Sequence, residues 1–500
     1  MSDIAGMTGF RTSGEGDSEL FRRVSDAWEK GRAADMLPQL ERALKRSTDY
    51  RLWHIHGLIL RSMEDRERAI PSLRRAVELK PDALRPAHAL AKTLYEAGLD
   101  SLDAYGRVLS LAPNDPTYLG EVTMAFVGAG EVHTAIAGLE RILTRSPTWT
   151  HGQMLLAQLR WMEGDRDTFT RGFDEARRSY PQAIDLWTEQ IVALTHAQQW
   201  DKIIALIAEG RAILGNLPVF AFNEAILAAE RGETEAADRL FEDLPDQTDS
   251  SFEVRRIRHY LRTGRPERAS QLIEPWLQKP EAFMFWPYAS LAWRQVDPER
   301  WAWLEGDPSF VGIYDLADRL PPLDRLAEAL RGLHKLSNQP LEQSLRGGTQ
   351  TDGDIFMRID PILVEVREVI RKVVAEHVAQ LPPPDPDHPL LSARRDKISF
   401  AGAWSVRLQS SGFHANHVHP LGWFSSALYI SLPPGMGENE AGYLTLGDAN
   451  SGNFMLDLPP FRTIEPKPGR LALFPSYMWH GTRPFGEGER LTVAFDVARH

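Results

Sequence analysis

The spacing of apolar residues changes once along the chain. From about Leu20 to about Gly306 it is helical: short amphipathic segments alternate with Gly-Asp or Gly-Glu turns and proline breaks. After Lys397 apolar and polar residues alternate instead. ISFAGAWSVRLQ, WFSSALYISLP, AGYLTLGD, RLALFPS and RLTVAFDVA read as short strands between Gly/Pro turns. An all-α N-terminal part and an antiparallel sandwich or barrel are therefore predicted, a multidomain α + β chain. Residues 311–396 form a bridge with PPLDRLAEALRGLHKL, a loop QSLRGGTQTDGD, and DPILVEVREVIRKVVAEHVAQL. The last keeps Ile362, Val366, Val369, Ile370, Val373, Val374 and Val378 at helical spacing behind an Asp-Pro opening, until PPPDPDHP breaks it. The expected layout is a disordered tail over 1–17, helical repeats over 18–310, a helical bridge over 311–396, and a β core over 397–500.

Within the helical part, Pro81, Pro113, Pro147 and Pro181 lie 32, 34 and 34 residues apart, and Gly98, Gly130 and Gly164 lie 32 and 34 apart. A helix–turn–helix unit near 34 residues resembles the tetratricopeptide repeat. Such units stack into a superhelix with a concave groove, because none can bury its apolar face alone. Past Pro181 the pattern drifts, with RGETEAADRLFEDLP and TGRPERASQLIEPWLQKP as degenerate repeats. Two roles suit the array: a groove for a protein or peptide, or a scaffold or dimerisation arm. Trp286, Trp293, Trp301 and Trp303 at its end read as a cap against the next domain, with an aromatic substrate wall as the alternative.

Five hundred residues exceed one ordinary core. With 43% apolar and 25% charged residues the composition is that of a soluble globular chain. No run of about 18 apolar residues predicts a membrane span. The N-terminal sequence lacks the pattern of a secretory signal, so the cytoplasm is the expected compartment. A formal charge of −12 argues against non-specific nucleic-acid binding. With no cysteine, disulfides and thiolate sites are excluded, and a transition metal would need imidazole and oxygen ligands. Oligomeric state is not legible.

The chemistry gathers near the C-terminus, in HANHVHPLGWFSSALYIS and PKPGRLALFPSYMWHGTRPFGEGERLTVAFDV. His417 and His419, two apart on extended backbone, point to one face. His480 follows on a later strand, and Arg490 one hairpin beyond. A lone histidine among fifteen is usually a surface or core residue, and H-x-H alone is a weak signal. Together with the LFPS segment, the later histidine and Arg490-Leu491-Thr492, it becomes specific. Over about residues 340–500 the chain resembles a 2-oxoglutarate/iron(II)-dependent oxygenase on a double-stranded β-helix (jelly-roll), in particular a bacterial and phage branch with an H-x-H-P motif.

That resemblance implies a hydroxylase using Fe(II), 2-oxoglutarate and O2. It makes Arg490 the clamp for the far carboxylate of the co-substrate, with Thr492 on the same strand face and Tyr429 and Ser426 as lesser candidates. It usually offers His-x-Asp and a distal histidine as iron ligands, but His419 stands in the aspartate's place. Three ligand sets follow: His417, His419 and His480 together; His417 and His480 with His419 behind them; or an acid, Asp448 or Asp496, swung in. The first is preferred, because the spacing aims both rings one way and imidazole suits iron. It would leave the site more cationic by one unit than the usual triad. His414 reads as a surface histidine, less readily as a group beside the site, and His388 as structural. The 343–351 loop either folds over the barrel mouth, bringing Arg346 or Gln350 to substrate, or is a flexible turn. The adjacent groove points to a protein or peptide side chain as substrate. Two rivals remain: a cupin-type metalloenzyme, disfavoured because Phe424 and apolar neighbours stand where its glutamate belongs, and an interaction protein with an inert barrel.

Overall fold

The computed structural model describes residues 15–244, 249–336, 338, 341, 343–452 and 454–500. Most of the predicted tail lies outside them, and its last three residues already belong to the helix Glu15–Glu29. The chain divides into two compact units. One runs to Arg141 and includes Gly353–Val364; the other holds Ile142–Asp352 and Glu365–His500.

In the first unit helices pair in antiparallel fashion, Tyr50–Ser62 with Arg66–Leu79 and Leu84–Glu96 with Leu102–Leu111. Aspartates open several of them: the Asp49 carboxylate accepts from the Arg51 amide at 2.9 Å and Asp115 from Thr117 at 2.9 Å. Lys80 and Ala112, each before a proline, leave helical backbone. Apolar stripes interlock as the core: Val24, Leu40, Leu52, Ile55 and Ile59 in one cluster, Tyr105, Val108, Val122 and Ala125 in the next. Ile359 joins this unit, packing on Ile70, Leu94 and Ala97.

The turn inside each helix pair ends on left-handed backbone. Gly98, Gly130 and Gly164 take it at φ 73°, 85° and 97°, where only glycine is unstrained. The same conformation recurs at Glu64, Gln198, Gly232 and Gly264. Steps of 32 or 34 residues therefore run unbroken from 64 to 264. The drift past Pro181 is a drift of residue type: Gln198 occupies a glycine position at φ 55°.

The second unit carries helices from Thr150–Met162 to Pro298–Glu305 and two antiparallel sheets. The strands are β1 (Gly312–Asp315), β2 (Leu345–Gln350), β3 (Phe400–His414), β4 (Gly422–Ser431), β5 (Leu444–Leu446), β6 (Arg462–Ile464), β7 (Arg470–Pro475), β8 (His480–Thr482) and β9 (Arg490–Ala498). The larger sheet runs β1-β7-β4-β9-β3-β2 and the smaller β6-β5-β8, a double-stranded β-helix. Both outer strands of the larger sheet come from the segment expected to be a helical bridge. β1 pairs Gly312 with Leu473, and β2 pairs Leu345 with His414. Residues 345–350 of the 343–351 segment are thus not a flexible turn; they form an edge strand with a bulge at Gly347.

The tryptophan-rich helices Trp286–Val296 and Pro298–Glu305 seat the barrel. The Tyr477 hydroxyl donates to the Leu304 carbonyl at 2.8 Å, and the Trp479 indole to that of Pro287 at 3.0 Å. Trp301 meets Phe461 edge-on at 5.6 Å, and Trp293 is fully buried under Arg300. His388 accepts the Leu390 amide and bonds the Trp303 carbonyl, a structural role. No described helix is long and apolar enough to cross a membrane.

Candidate metal centre

The segment before β4 runs antiparallel to the one entering β8. The His417 amide donates to the His480 carbonyl at 2.9 Å and the His480 amide to that of His417 at 3.0 Å, while the His419 amide donates to Ser476 at 2.9 Å. This ladder puts the three imidazoles side by side. Ring centroids lie 4.2 Å (His417–His480), 4.9 Å (His417–His419) and 5.2 Å (His419–His480) apart, and one ligand atom from each lies within 4.8 Å of the others. The close approach depends on Gly481, where a Cβ would stand 2.0 Å from the Asn416 side-chain oxygen.

Hydrogen bonding fixes which nitrogen each ring presents. His417 Nδ1 faces the Ala415 carbonyl at 2.8 Å, His480 Nδ1 the Met478 carbonyl at 3.0 Å, and His419 Nδ1 the Asp496 carboxylate at 2.7 and 2.9 Å. These oxygens accept, so each Nδ1 is the donor and Nε2 is the nitrogen each ring has left to offer a metal. Among the described residues, the Nε2 of His417 meets only the Ser344 hydroxyl, at 3.2 Å. Burial, then the neighbouring imidazoles, pushes the His417 pKa well below its ordinary value; burial pushes His480 down to about 3. Neutral imidazole is the form that binds metal, so the donor set fits a divalent cation.

Neither acid belongs to the cluster formed by the three histidines. Asp448 accepts the Asn450 amide at 2.9 Å. Asp496 lies behind His419 and also accepts the Ser425 hydroxyl at 2.7 Å. A carboxyl group therefore sits one imidazole further out, against His419 Nδ1.

Arg490 and Tyr429 are buried together on strands β9 and β4. Arg490, at the start of β9, is 2% exposed. Its Nη1 donates to the Gly442 carbonyl at 3.3 Å, and its Nε has no partner among the described residues. Its guanidinium lies 5.0 Å from the Tyr429 ring centre, and the buried Tyr429 hydroxyl also lacks a partner. Thr492 is paired directly with Tyr429 across β9 and β4. A buried unsatisfied polar group costs about 1–3 kcal/mol, so two side by side fit a bound carboxylate.

Of the other expected residues, Ser426 stands apart. Its hydroxyl donates to the Phe495 carbonyl at 2.8 Å and accepts the Phe495 amide at 2.9 Å, filling a gap in the β4–β9 ladder. Ser425, four residues from Tyr429 and so on its face, is the serine at the site, and strand parity was the signal for it. His414 is no surface residue: it is half-buried and stacked 6.0 Å from His417. Burial, then the charge of Arg490, drives its pKa down to about 3. Trp404, 5.7 Å from His419, completes the wall.

Residues 402–496 match the family model described as "Putative 2OG-Fe(II) oxygenase". The C-terminal region carries this oxygenase domain. The family implies Fe(II), 2-oxoglutarate and O2, which the histidine cluster suits. Among curated proteins none matches the chain. Solved structures similar to it include MamA from Desulfovibrio magneticus (16% identity, 33% of this chain and 96% of that one, TM-score 0.30). A tetratricopeptide repeat protein from Parabacteroides merdae is similar at 16% identity, over 52% of this chain and 98% of that one, with a TM-score of 0.31. A third is YrrB, described as a TPR protein with an unusual peptide-binding site (15%, 37% and 97%, TM-score 0.25).

Proposed function

We propose that the chain is a 2-oxoglutarate-dependent iron hydroxylase acting on a protein or peptide side chain offered by the helical repeats. The observation that carries this is the convergence of one ligand nitrogen each from His417, His419 and His480, beside a buried guanidinium whose Nε has no partner among the described residues. Bound Fe(II) with 2-oxoglutarate supplies the oxidising chemistry, placing one atom of O2 in a substrate C–H bond while the co-substrate becomes succinate and CO2. The protein's own part is positioning. The Ala415 and Met478 carbonyls and Asp496 hold the three rings in the tautomer that offers Nε2. Arg490 grips the distal carboxylate of 2-oxoglutarate, with Tyr429 and Thr492 donating hydroxyl hydrogen bonds beside it. Trp404, Tyr429 and Phe474 keep that wall apolar and exclude water.

The test is an anaerobic titration of Fe(II)-loaded protein with 2-oxoglutarate, followed by its visible charge-transfer band. The band should appear, weaken on Arg490→Ala, and vanish on His480→Ala. Full activity on a metal-dependent substrate without 2-oxoglutarate would support the cupin-type alternative and end this reading. Deleting residues 1–310 is a poor test of the groove, because it also removes the Pro287 and Leu304 carbonyls that hold Trp479 and Tyr477.

A further inference from the structure

A cavity of about 490 Å³ opens between the repeat helices of the second unit and the loop joining β5 to β6. Gln198, Asn223, Arg255 and Arg258 line one side, Ser451 and Gly452 the other. Its charge is unbalanced. Arg255, Arg258 and Arg262 follow one another at three and four residues along the helix Ser250–Arg262, so they share a face. All three converge on the single carboxylate of Glu230, at 4.0, 3.9 and 3.9 Å, beyond hydrogen-bond reach. Three guanidinium groups thus face one carboxylate, and Arg258 also pairs with the neutral Tyr288 hydroxyl, so positive charge is in excess here. Arg258 Nε is buried with no partner among the described residues. Arg255 keeps 39% of its side chain accessible, and that surface faces the cavity. Burial holds the pKa of Arg255 and Arg262 below the ordinary value, whereas for Arg258 burial is outweighed by Tyr288 and Glu230 and the pKa is raised, so Arg255 is the less compensated of the two cavity-lining cations.

The opposite wall leads to the metal centre. The Asn416 amide, next to His417, donates to the Asn450 carbonyl at 2.8 Å. Phe454 stacks under Arg258 at 4.3 Å and lies 6.0 Å from Trp479, the neighbour of His480. An occupant of the cavity would therefore touch a loop bonded to residues adjoining two of the three histidines. The volume is generous for a small inorganic anion. The amides of Gln198 and Asn223 suit main-chain groups, while Ile226 and Phe222 offer apolar surface.

We infer that this cavity binds an acidic residue of an extended peptide, its carboxylate forked between Arg255 and Arg258, so that a nearby residue is directed to the metal centre. The second half of that statement rests on the hydroxylase reading; the first does not. The recognised motif is an aspartate or glutamate at a fixed distance from the modified side chain. Arginine supplies both charge and a planar fork for it.

The probe is a fluorescein-labelled (Glu-Gly)5 peptide, with (Gln-Gly)5 as its neutral counterpart, followed by fluorescence anisotropy on the full chain. The glutamate peptide should bind at least about tenfold tighter, more weakly as salt rises. Arg255→Gln with Arg258→Gln should erase the difference. Ser451→Glu offers a second route that leaves the arginines in place: it sets a carboxylate into the cavity from the loop and should block the peptide. Equal binding of both peptides, or wild-type binding by folded Ser451→Glu protein, would overturn the inference. So would full displacement by inorganic phosphate or free glutarate at concentrations matching the peptide, since the site would then hold small anions. His480→Ala should leave peptide binding unchanged. Binding retained without any 2-oxoglutarate turnover in the wild type would refute the hydroxylase reading and leave the acidic-peptide site standing.

Discussion

Asp496 is the residue whose replacement tests the metal centre most sharply. Its carboxylate accepts the His419 Nδ1 proton at 2.7 and 2.9 Å and the Ser425 hydroxyl at 2.7 Å. Asp496→Ala removes the only acceptor found for that proton among the described residues, so the imidazole can rotate and exchange tautomers. Ser425 keeps Ser476 at 3.0 Å, so no new unsatisfied hydroxyl is created. Loss of such an outer partner typically lowers metal affinity by about 10–100-fold, which is about 1.4–2.7 kcal/mol. Asp496→Asn retains an acceptor oxygen and loses the charge, so it should fall near the lower end; Asp496→Ala should fall near the upper. Anaerobic Co(II) titration, read by its ligand-field absorption, gives the affinities. Ser426→Ala is the control, because that hydroxyl is committed to Phe495, and it should bind metal as the wild type does. If Asp496→Ala binds Co(II) normally while His419→Ala does not, the carboxylate does not orient the ring. If His419→Ala also binds normally, that histidine is no ligand.

Three further outcomes are expected. Arg490→Ala should raise the 2-oxoglutarate requirement by about 30–100-fold, the value of a charge-assisted pair, and Tyr429→Phe by a smaller factor with little loss of stability, because the hydroxyl has no partner to lose; steady-state kinetics and thermal melts separate the two, and an unchanged KM in Arg490→Ala would remove the clamp. Gly481→Ala should cost metal affinity, because the new methyl group displaces Asn416 and the backbone carrying His417; metal titration showing wild-type affinity would contradict the close approach. Stability should fall on acidification from pH 7 to 5: His480 and His377 are held down to about 3 and 4, chiefly by burial, so below about 6.5 the unfolded chain takes up protons that the fold refuses, each contributing on the order of 1 kcal/mol per pH unit. Urea unfolding at successive pH values checks this, and His377→Gln should flatten the slope; a flat profile would show that the rings protonate in place.

Much of this was readable in advance because period and parity are local. The proline and glycine steps gave the helix pairs, and the two-residue step gave His417 and His419 a shared face. What escaped reading was non-local or masked by side-chain identity. Gln198 holds left-handed backbone that glycine marks elsewhere, so the repeat continues where its letters fade. β1 and β2 are too short, and β2 too rich in glycine, to show an alternating stripe; pairing with β7 and β3 makes them strands. Ser425 could have been distinguished from Ser426 by its parity with Tyr429. Asp496 was visible as an acid near the site, but its place behind His419 depends on a contact spanning 77 residues. The arginines of Ser250–Arg262 look like any charged helix face until the β5–β6 loop is set against them.

The borrowed edges of the larger sheet bear on how such a chain could be assembled or taken apart. A fragment beginning at Lys397 would contain His417, His419, His480 and Arg490, yet it would leave β3 and β7 each with a naked row of amides and carbonyls. Strands so exposed recruit foreign chains. The catalytic-looking piece is therefore no portable cassette: transplanted without 312–315 and 345–350, it should clump before its chemistry could be assayed.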